Sequence, residues 1–358
     1  EGVTQETADK NEGNKEVYGN VEEKESIYMK TDYEAPADAA TRVKKIKERM
    51  YGKEGGEVEI NADGESKEAG HVMNGVIAKR IGFDLTKKMF EGPNDELTKT
   101  SICQPALYLH GLATWQILKS KCPNLNPVAA AGLSLGEFTA YSSAGVFSFE
   151  KGLEIVSRRG QFMEESCNAT EGSMAAIIGG DEKAVNNLAK DFDLDVANYN
   201  APGQIVISGE IEKIRSALTK VKDYGCRMGK ELEVAGAYHS RLMIQAQQKL
   251  AQELEKVSFS NPNFPVVSNV DAIQKSGEFE ISSSLERQVT GSVRWSQSME
   301  NLLNEGHDLF IEFSPKPVLA GLMSRIRKGT NVISVGDPET INSALETCLL
   351  YTSPSPRD

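Results

Sequence analysis

Residues 172 to 234 read as strand, helix, strand, strand, helix, strand, an order that few folds accommodate. Ser173 to Gly179 (SMAAIIG) is a short apolar run of strand length, and Asp181 to Asp191 follows with helical spacing. Asp195 to Tyr199 and Gln204 to Ser208 are two strands joined around Asn200-Ala201-Pro202-Gly203, a turn-forming tetrapeptide. Ile211 to Tyr224 is a second helix and Arg227 to Val234 a last strand. The arrangement is ferredoxin-like, βαββαβ, and closes on itself.

The flanks alternate strand and helix. Before the unit stand a helix (Gln104 to Leu118), a buried strand (Pro127 to Leu135, PVAAAGLSL) and a helix from Gly136 to Ala144. A further helix, Ser148 to Glu165, opens on a capping serine. After it come a helix (Arg241 to Val257), a strand (Phe264 to Val270), a helix (Val293 to Glu305), a strand (Leu309 to Phe313) and a helix (Val318 to Lys328). Such alternation favours a mostly parallel sheet. The expected fold class is α/β: a hydrolase-like parallel-sheet domain, discontinuous over 71–171 and 235–348, with the ferredoxin-like subdomain 172–234 inserted.

Residues 1–70 differ in composition. They are poor in aromatic and β-branched side chains and carry about −7 of the net charge of −12. Such a stretch buries little apolar surface and is expected to be mostly disordered, with one marginal helix over Ala37 to Met50. Residues 349–358 are Ser/Pro-rich and read as a non-native tail that fits no element.

Composition excludes several classes. The basic cluster Arg42-Val43-Lys44-Lys45-Ile46-Lys47 gives way to further acids, so no basic face for nucleic acid is expected. No apolar run reaches the about 18 residues of a spanning helix, so no membrane segment is expected. The five cysteines are scattered without CxxC spacing, which argues against a disulfide framework or zinc site and for a reducing compartment. Asn168-Ala169-Thr170 reads as a chance sequon.

The chemistry concentrates in Gly132-Leu133-Ser134-Leu135-Gly136, a G-x-S-x-G run between an apolar strand and a helix. On such a turn the serine is exposed, flanking glycines let a strained backbone pass, and the helix aims N–H groups at a developing oxyanion. The bland alternative is an ordinary strand-to-helix turn. A nucleophilic serine needs a base. Of the four histidines, His71, His110, His239 and His307, only His239 lies in a loop between a strand and a helix on the expected sheet edge. No Asp or Glu between Ser134 and His239 is placed to orient the imidazole. Asp191, Asp193 and Asp195 fall inside the inserted unit, and Asp271 comes after the histidine. A serine transferase and a serine esterase or thioesterase both remain open from these residues.

Several stretches resemble one family in order along the chain. They are Gly132 to Ala140 (GLSLGEFTA), Arg159 to Met163 (RGQFM), Met174 to Gly179 (MAAIIG), Asn198 to Gly209 (NYNAPGQIVISG), Ala235 to Met243 (AGAYHSRLM), Pro265 to Asp271 (PVVSNVD) and Arg287 to Val289 (RQV). The likeness is to malonyl-CoA:acyl carrier protein transacylases of dissociated fatty-acid synthesis, from about residue 80 to about residue 345. Leu133, where many bacterial members have His, looks more like plant and algal plastid members.

The resemblance implies malonyl-CoA and acyl carrier protein as partners, no metal or redox cofactor, and a plastid stroma or another reducing compartment such as the bacterial cytoplasm or mitochondrial matrix. It implies that Ser134 carries the malonyl group and His239 moves its proton. It further implies that the main-chain carbonyl of Gln288 orients His239, that the Leu135 N–H is an oxyanion donor, and that Arg159 pairs with the malonyl carboxylate. Gln104, Asn198 and Asn200 would line the substrate channel. Two departures stand out. The family opens with a strand leading into Gly-Gln-Gly, whose glutamine gives a second oxyanion N–H, and residues 1–80 contain no such run. Its absence keeps open a third reading, a carrier-protein-binding protein without catalysis. Ser314-Pro315-Lys316-Pro317 also replaces a more glycine-rich turn.

Overall fold

The computed structural model describes residues 77–352, so the acidic segment 1–70 with its expected helix, and His71, lie outside the described residues. Short helices α1 (Leu85–Glu91) and α2 (Asn94–Thr98) lead into the long α3 (Thr100–Lys121). Strand β1 (Ala130–Ala131) then feeds α4 (Leu135–Ser143), and α5 (Phe149–Asn168) follows. The Ser148 side chain caps α5 by accepting from the Lys151 N–H, satisfying one of the orphan donors of a helix start. Leu153, Ile155, Val156 and Met163 of α5 are buried with Tyr108 and Leu112 of α3 and Phe138 and Tyr141 of α4.

The inserted unit comprises β2 (Gly172–Ile178), α6 (Glu182–Asp191), β3 (Asp195–Ala201), β4 (Gln204–Glu210), α7 (Ile211–Leu218) and β5 (Met228–Glu231). Its sheet has the order β3-β4-β2-β5, and each paired strand runs antiparallel to its neighbour. This is the ferredoxin-like order. Period-two alternation divides the strands cleanly. Ala175, Ile177, Ile205 and Ile207 pack against Val185 and Leu188 of α6 and Ile214 of α7. Met174, Ala176 and Val206 take the other face, where Tyr238 packs against them. Val293 joins the two units: its N–H donates to the Ala197 carbonyl at 2.8 Å, and its carbonyl accepts from the Tyr199 N–H at 2.9 Å.

The chain then returns through α8 (Ile244–Leu254), β6 (Val266–Val267), β7 (Gln274–Lys275), α9 (Glu278–Arg287) and α10 (Trp295–Asn304). It ends in β8 (Leu309–Phe313), α11 (Val318–Ile326), β9 (Asn331–Val335) and α12 (Pro338–Thr352). Parallel pairing occurs between β1 and β6 and between β8 and β9, in two separate sheets. The long strands expected at 127–135 and 264–270 shrink to two residues each. The ladder between them extends only over Ala130↔Val266 and Ala131↔Val267 before β1 bends into the serine turn. Helix α9 was not foreseen. The tail expected to fit no element is also corrected in part, because α12 runs through Thr352.

Candidate active site

Ser134 sits between β1 and α4 with φ 52° and ψ −109°, a conformation that costs a non-glycine residue about 1–3 kcal/mol. Gly132 makes the turn possible, because a Cβ there would lie 1.9 Å from the Gly136 carbonyl carbon. Gly136 has no such constraint: a Cβ there would meet nothing within 4 Å. The sequence expectation of two sterically required glycines therefore holds for Gly132 alone.

His239 lies in the loop between β5 and α8, also at positive φ (54°). Its Nε2 is 2.8 Å from Ser134 Oγ and its Nδ1 is 2.8 Å from the Gln288 carbonyl oxygen. A carbonyl only accepts, so Nδ1 carries the proton and Nε2 is the lone-pair nitrogen facing the serine hydroxyl. Burial, aided by the nearby Arg159 charge, lowers the imidazole to about 4 and keeps it neutral.

Arg159 reaches the same point from α5. Its Nη1 donates to Gln104 Oε1 at 2.6 Å, and its Nη2 donates to Gln288 Oε1 at 2.9 Å and to Ser134 Oγ at 3.0 Å. It is 1% exposed, and its guanidinium lies over the Phe138 ring at 5.3 Å. Burial lowers it to about 10, so it remains a cation at neutral pH. Among the described residues all three acceptors are neutral, and no carboxylate is bonded to it. A buried cation held this way is preorganised for an anion.

Behind the serine lies a polar layer that the sequence did not reveal. Glu137, fully buried on α4, accepts through Oε2 from Gln288 Nε2 at 2.6 Å and from the Asn269 N–H at 3.2 Å. Burial pushes its carboxyl up to about 7. Gln288 Nε2 also donates to the Ser134 carbonyl at 2.9 Å. The Gln288 side chain was thus missed, although its backbone position was expected. A charged residue in the apolar-flanked stretch Leu135 to Ala140 was the available signal for Glu137.

Leu135 begins α4. The N–H groups after it turn back on the loop, Gly136 to the Leu133 carbonyl and Glu137 to the Ser134 carbonyl. That leaves the Leu135 N–H, first in the helix, as the group next to Ser134 without an intrahelical acceptor. Asn198 and Asn200 lie on β3, and both are buried with Oδ1 atoms that lack hydrogen-bond partners. Gln104 is brought to the site through Arg159; the two asparagines are not tied to Ser134, His239 or Arg159 through those atoms. His110 is buried against the Gly336 carbonyl, and His307 pairs with Glu305, both apart from the serine. Among the described residues no cluster of metal-ligating side chains occurs, and no helix is long and apolar enough to cross a membrane.

Residues 67–339 match the model of the acyl transferase domain family. The chain is 38% identical over 268 residues to the malonyl CoA-acyl carrier protein transacylase of Bacillus subtilis, covering 74% of this chain and 84% of the relative. It is 39% identical over 254 residues to a polyketide biosynthesis malonyl CoA-acyl carrier protein transacylase of the same organism, covering 69% and 86%. A solved malonyl-transacylase in complex with its type II PKS acyl-carrier protein superposes with a TM-score of 0.74 at 34% identity, over 77% of this chain and 91% of that one. The transacylase of Coxiella burnetii superposes at 0.73 with 31% identity, over 77% and 88%. With a family match spanning most of the chain and a strained serine set against a neutral histidine, this protein belongs to the acyl transferase family and is an acyltransferase.

Proposed function

We propose that the chain transfers a malonyl group from malonyl-CoA to the phosphopantetheine thiol of acyl carrier protein, through a Ser134 acyl-enzyme, for fatty-acid synthesis. The observation that carries this reading is Arg159, a buried cation whose acceptors among the described residues are all neutral, one of them the Ser134 hydroxyl. An acyl group ending in a carboxylate, one methylene from its reacting carbonyl, offers that guanidinium a bidentate anionic partner. A plain acyl chain does not.

The geometry supports two mirrored half-reactions. His239 Nε2 takes the Ser134 proton as Oγ attacks the thioester carbonyl. The oxyanion forms next to the Leu135 N–H at the positive end of α4. On collapse, the C–S bond breaks and the proton on Nε2 passes to the departing CoA thiolate. The carrier thiol then gives its proton to the neutral imidazole, attacks the serine ester and leaves as malonyl thioester while Oγ regains the proton. The Gln288 carbonyl holds the imidazole in the required tautomer throughout, in place of a triad carboxylate. Asn198 and Asn200, buried on β3, are assigned to the substrate channel on the family resemblance. The chemistry calls on no metal or redox cofactor.

Incubation with malonyl-CoA and phosphopantetheinylated acyl carrier protein, read by mass, tests the reading. Malonyl-carrier should form by ping-pong kinetics and outpace free malonate. Malonate release at the rate of transfer, with or without carrier, would make the protein a thioesterase. We further place the protein in the plastid stroma, on Leu133 before the nucleophile. Fractionation of the source cells with an antibody to this chain checks that placement.

A further inference from the structure

Strain at Ser134 raises the question of what holds it. A residue at φ 52° and ψ −109° relaxes unless its surroundings over-determine it. The backbone of α4 does not suffice, because Ser134 precedes its first turn. The hold comes from Asn269, in the loop after β6. Its Nδ2 donates to the Gly132 carbonyl at 2.7 Å, and its Oδ1 accepts from the Ser134 N–H at 2.7 Å. One planar amide therefore spans the turn, fixing the groups on both sides of Leu133. Asn269 is only 2% exposed and is itself fixed, since its N–H donates to Glu137 Oε2 and its carbonyl accepts from the Arg294 N–H at 2.8 Å.

We propose that Asn269 is a positioning residue of the acyl transfer, whose side-chain amide holds the nucleophile turn so that Ser134 Oγ faces His239 Nε2. Glu137 anchors it. The same carboxylate oxygen also receives Gln288 Nε2, which in turn donates to the Ser134 carbonyl. Both sides of the Ser134 backbone are thus gripped by the side chains of two residues anchored on one buried atom, Asn269 through its backbone N–H and Gln288 through Nε2. The clamp has a second consequence. With the Ser134 N–H occupied by Asn269, the free donor at the nucleophile is that of Leu135, which directs the oxyanion to the start of α4.

Asn269→Asp keeps the volume and the acceptor for the Ser134 N–H but sets an oxygen against the Gly132 carbonyl, while Asn269→Ala removes both bonds. Glu137→Gln preserves an acceptor for Asn269 and Gln288, and Glu137→Leu does not. The proposal rests on the acyl-enzyme reading, so two probes separate them. A fluorophosphonate, which labels an activated serine whatever its natural acyl group, reports the turn; malonyl-CoA acylation in the same samples reports the substrate.

Asn269→Asp, Asn269→Ala and Glu137→Leu should slow fluorophosphonate labelling of Ser134 by about 10²-fold, with Glu137→Gln recovering most of the rate. The concentration of malonyl-CoA that half-saturates acylation should stay within about 2-fold, because Arg159 is untouched. Near-UV circular dichroism should match the wild type. Labelling of both Asn269 variants within about 2-fold of wild type overturns the proposal, as does a loss accompanied by a collapsed near-UV spectrum in both, which reduces Asn269 to a fold residue. Slow labelling with no malonyl adduct on the wild type supports the clamp and refutes the substrate alone.

Discussion

Arg159 Nη2 lies 3.0 Å from the Ser134 hydroxyl oxygen, which places a buried cation and the nucleophile in one small space. Which acyl groups the serine accepts follows from that distance. On the proposed reading, replacing Arg159 by Ala would remove two or more charge-assisted bonds to a malonyl carboxylate, worth about 1.5–3 kcal/mol each. Malonyl transfer should fall by about 10²-fold or more, and acetyl transfer should hold or rise, because the unfilled cationic site no longer penalises an apolar acyl end. Paired kcat/KM measurements with malonyl-CoA and acetyl-CoA check the inversion.

On the proposed mechanism, the acid limb of the reaction belongs to His239. Its imidazole is neutral down to about 4, so wild-type acylation should stay nearly flat as pH falls through 6.5, where an ordinary histidine would already be half protonated. Burial is the first cause and the Arg159 charge the second, so Arg159→Ala should move the acid limb to higher pH. Single-turnover acetylation from pH 4 to 8 gives both profiles; a limb that stays put or moves down would contradict the assignment.

Glu137 affects stability with the opposite sign. Its folded carboxyl is raised from 4.5 to about 7, so the folded chain holds a proton that the unfolded chain has released. The stability this contributes is complete below pH 4.5 and is lost as pH rises through 7. Glu137→Gln removes the titration. Its unfolding free energy relative to wild type should therefore rise by about 3 kcal/mol between pH 4.5 and pH 8, measured by urea unfolding at several pH values.

The two glycines of the serine turn should behave differently. Gly132→Ala drives a Cβ to 1.9 Å from backbone, which the clamped turn cannot yield to. It should destabilise by about 3 kcal/mol or more and slow acylation. Gly136→Ala meets nothing and should be neutral or stabilising by about 0.5 kcal/mol. Thermal melts of the two variants side by side decide it.

Elements with strong local signals were legible in the sequence. The βαββαβ unit was readable because β2 and β4 are short, largely apolar runs of strand length and the breaks beside them carry cap or turn residues, as Asp181 and Gly203 do. The meeting of Ser134 and His239 was readable because both stand in loops next to a strand on the expected sheet edge. The short strands β1 and β6 were overestimated, since apolar runs such as PVAAAGLSL mark burial and not ladder length. Helix α9 escaped because exposed Phe279 blurs its apolar stripe of Ile281 and Leu285. The layer of Glu137, Asn269 and Gln288 was hidden for a different reason. These side chains come from distant stretches, and their hydrogen bonds exist only once the fold brings them together.

Whether Ser134 carries the acyl group is read from intact mass after brief mixing with malonyl-CoA. A single malonyl mass gain is expected, mapped by peptide analysis to Ser134 and absent in Ser134→Ala. No gain on a folded wild-type chain, or a gain that persists in Ser134→Ala, would contradict it.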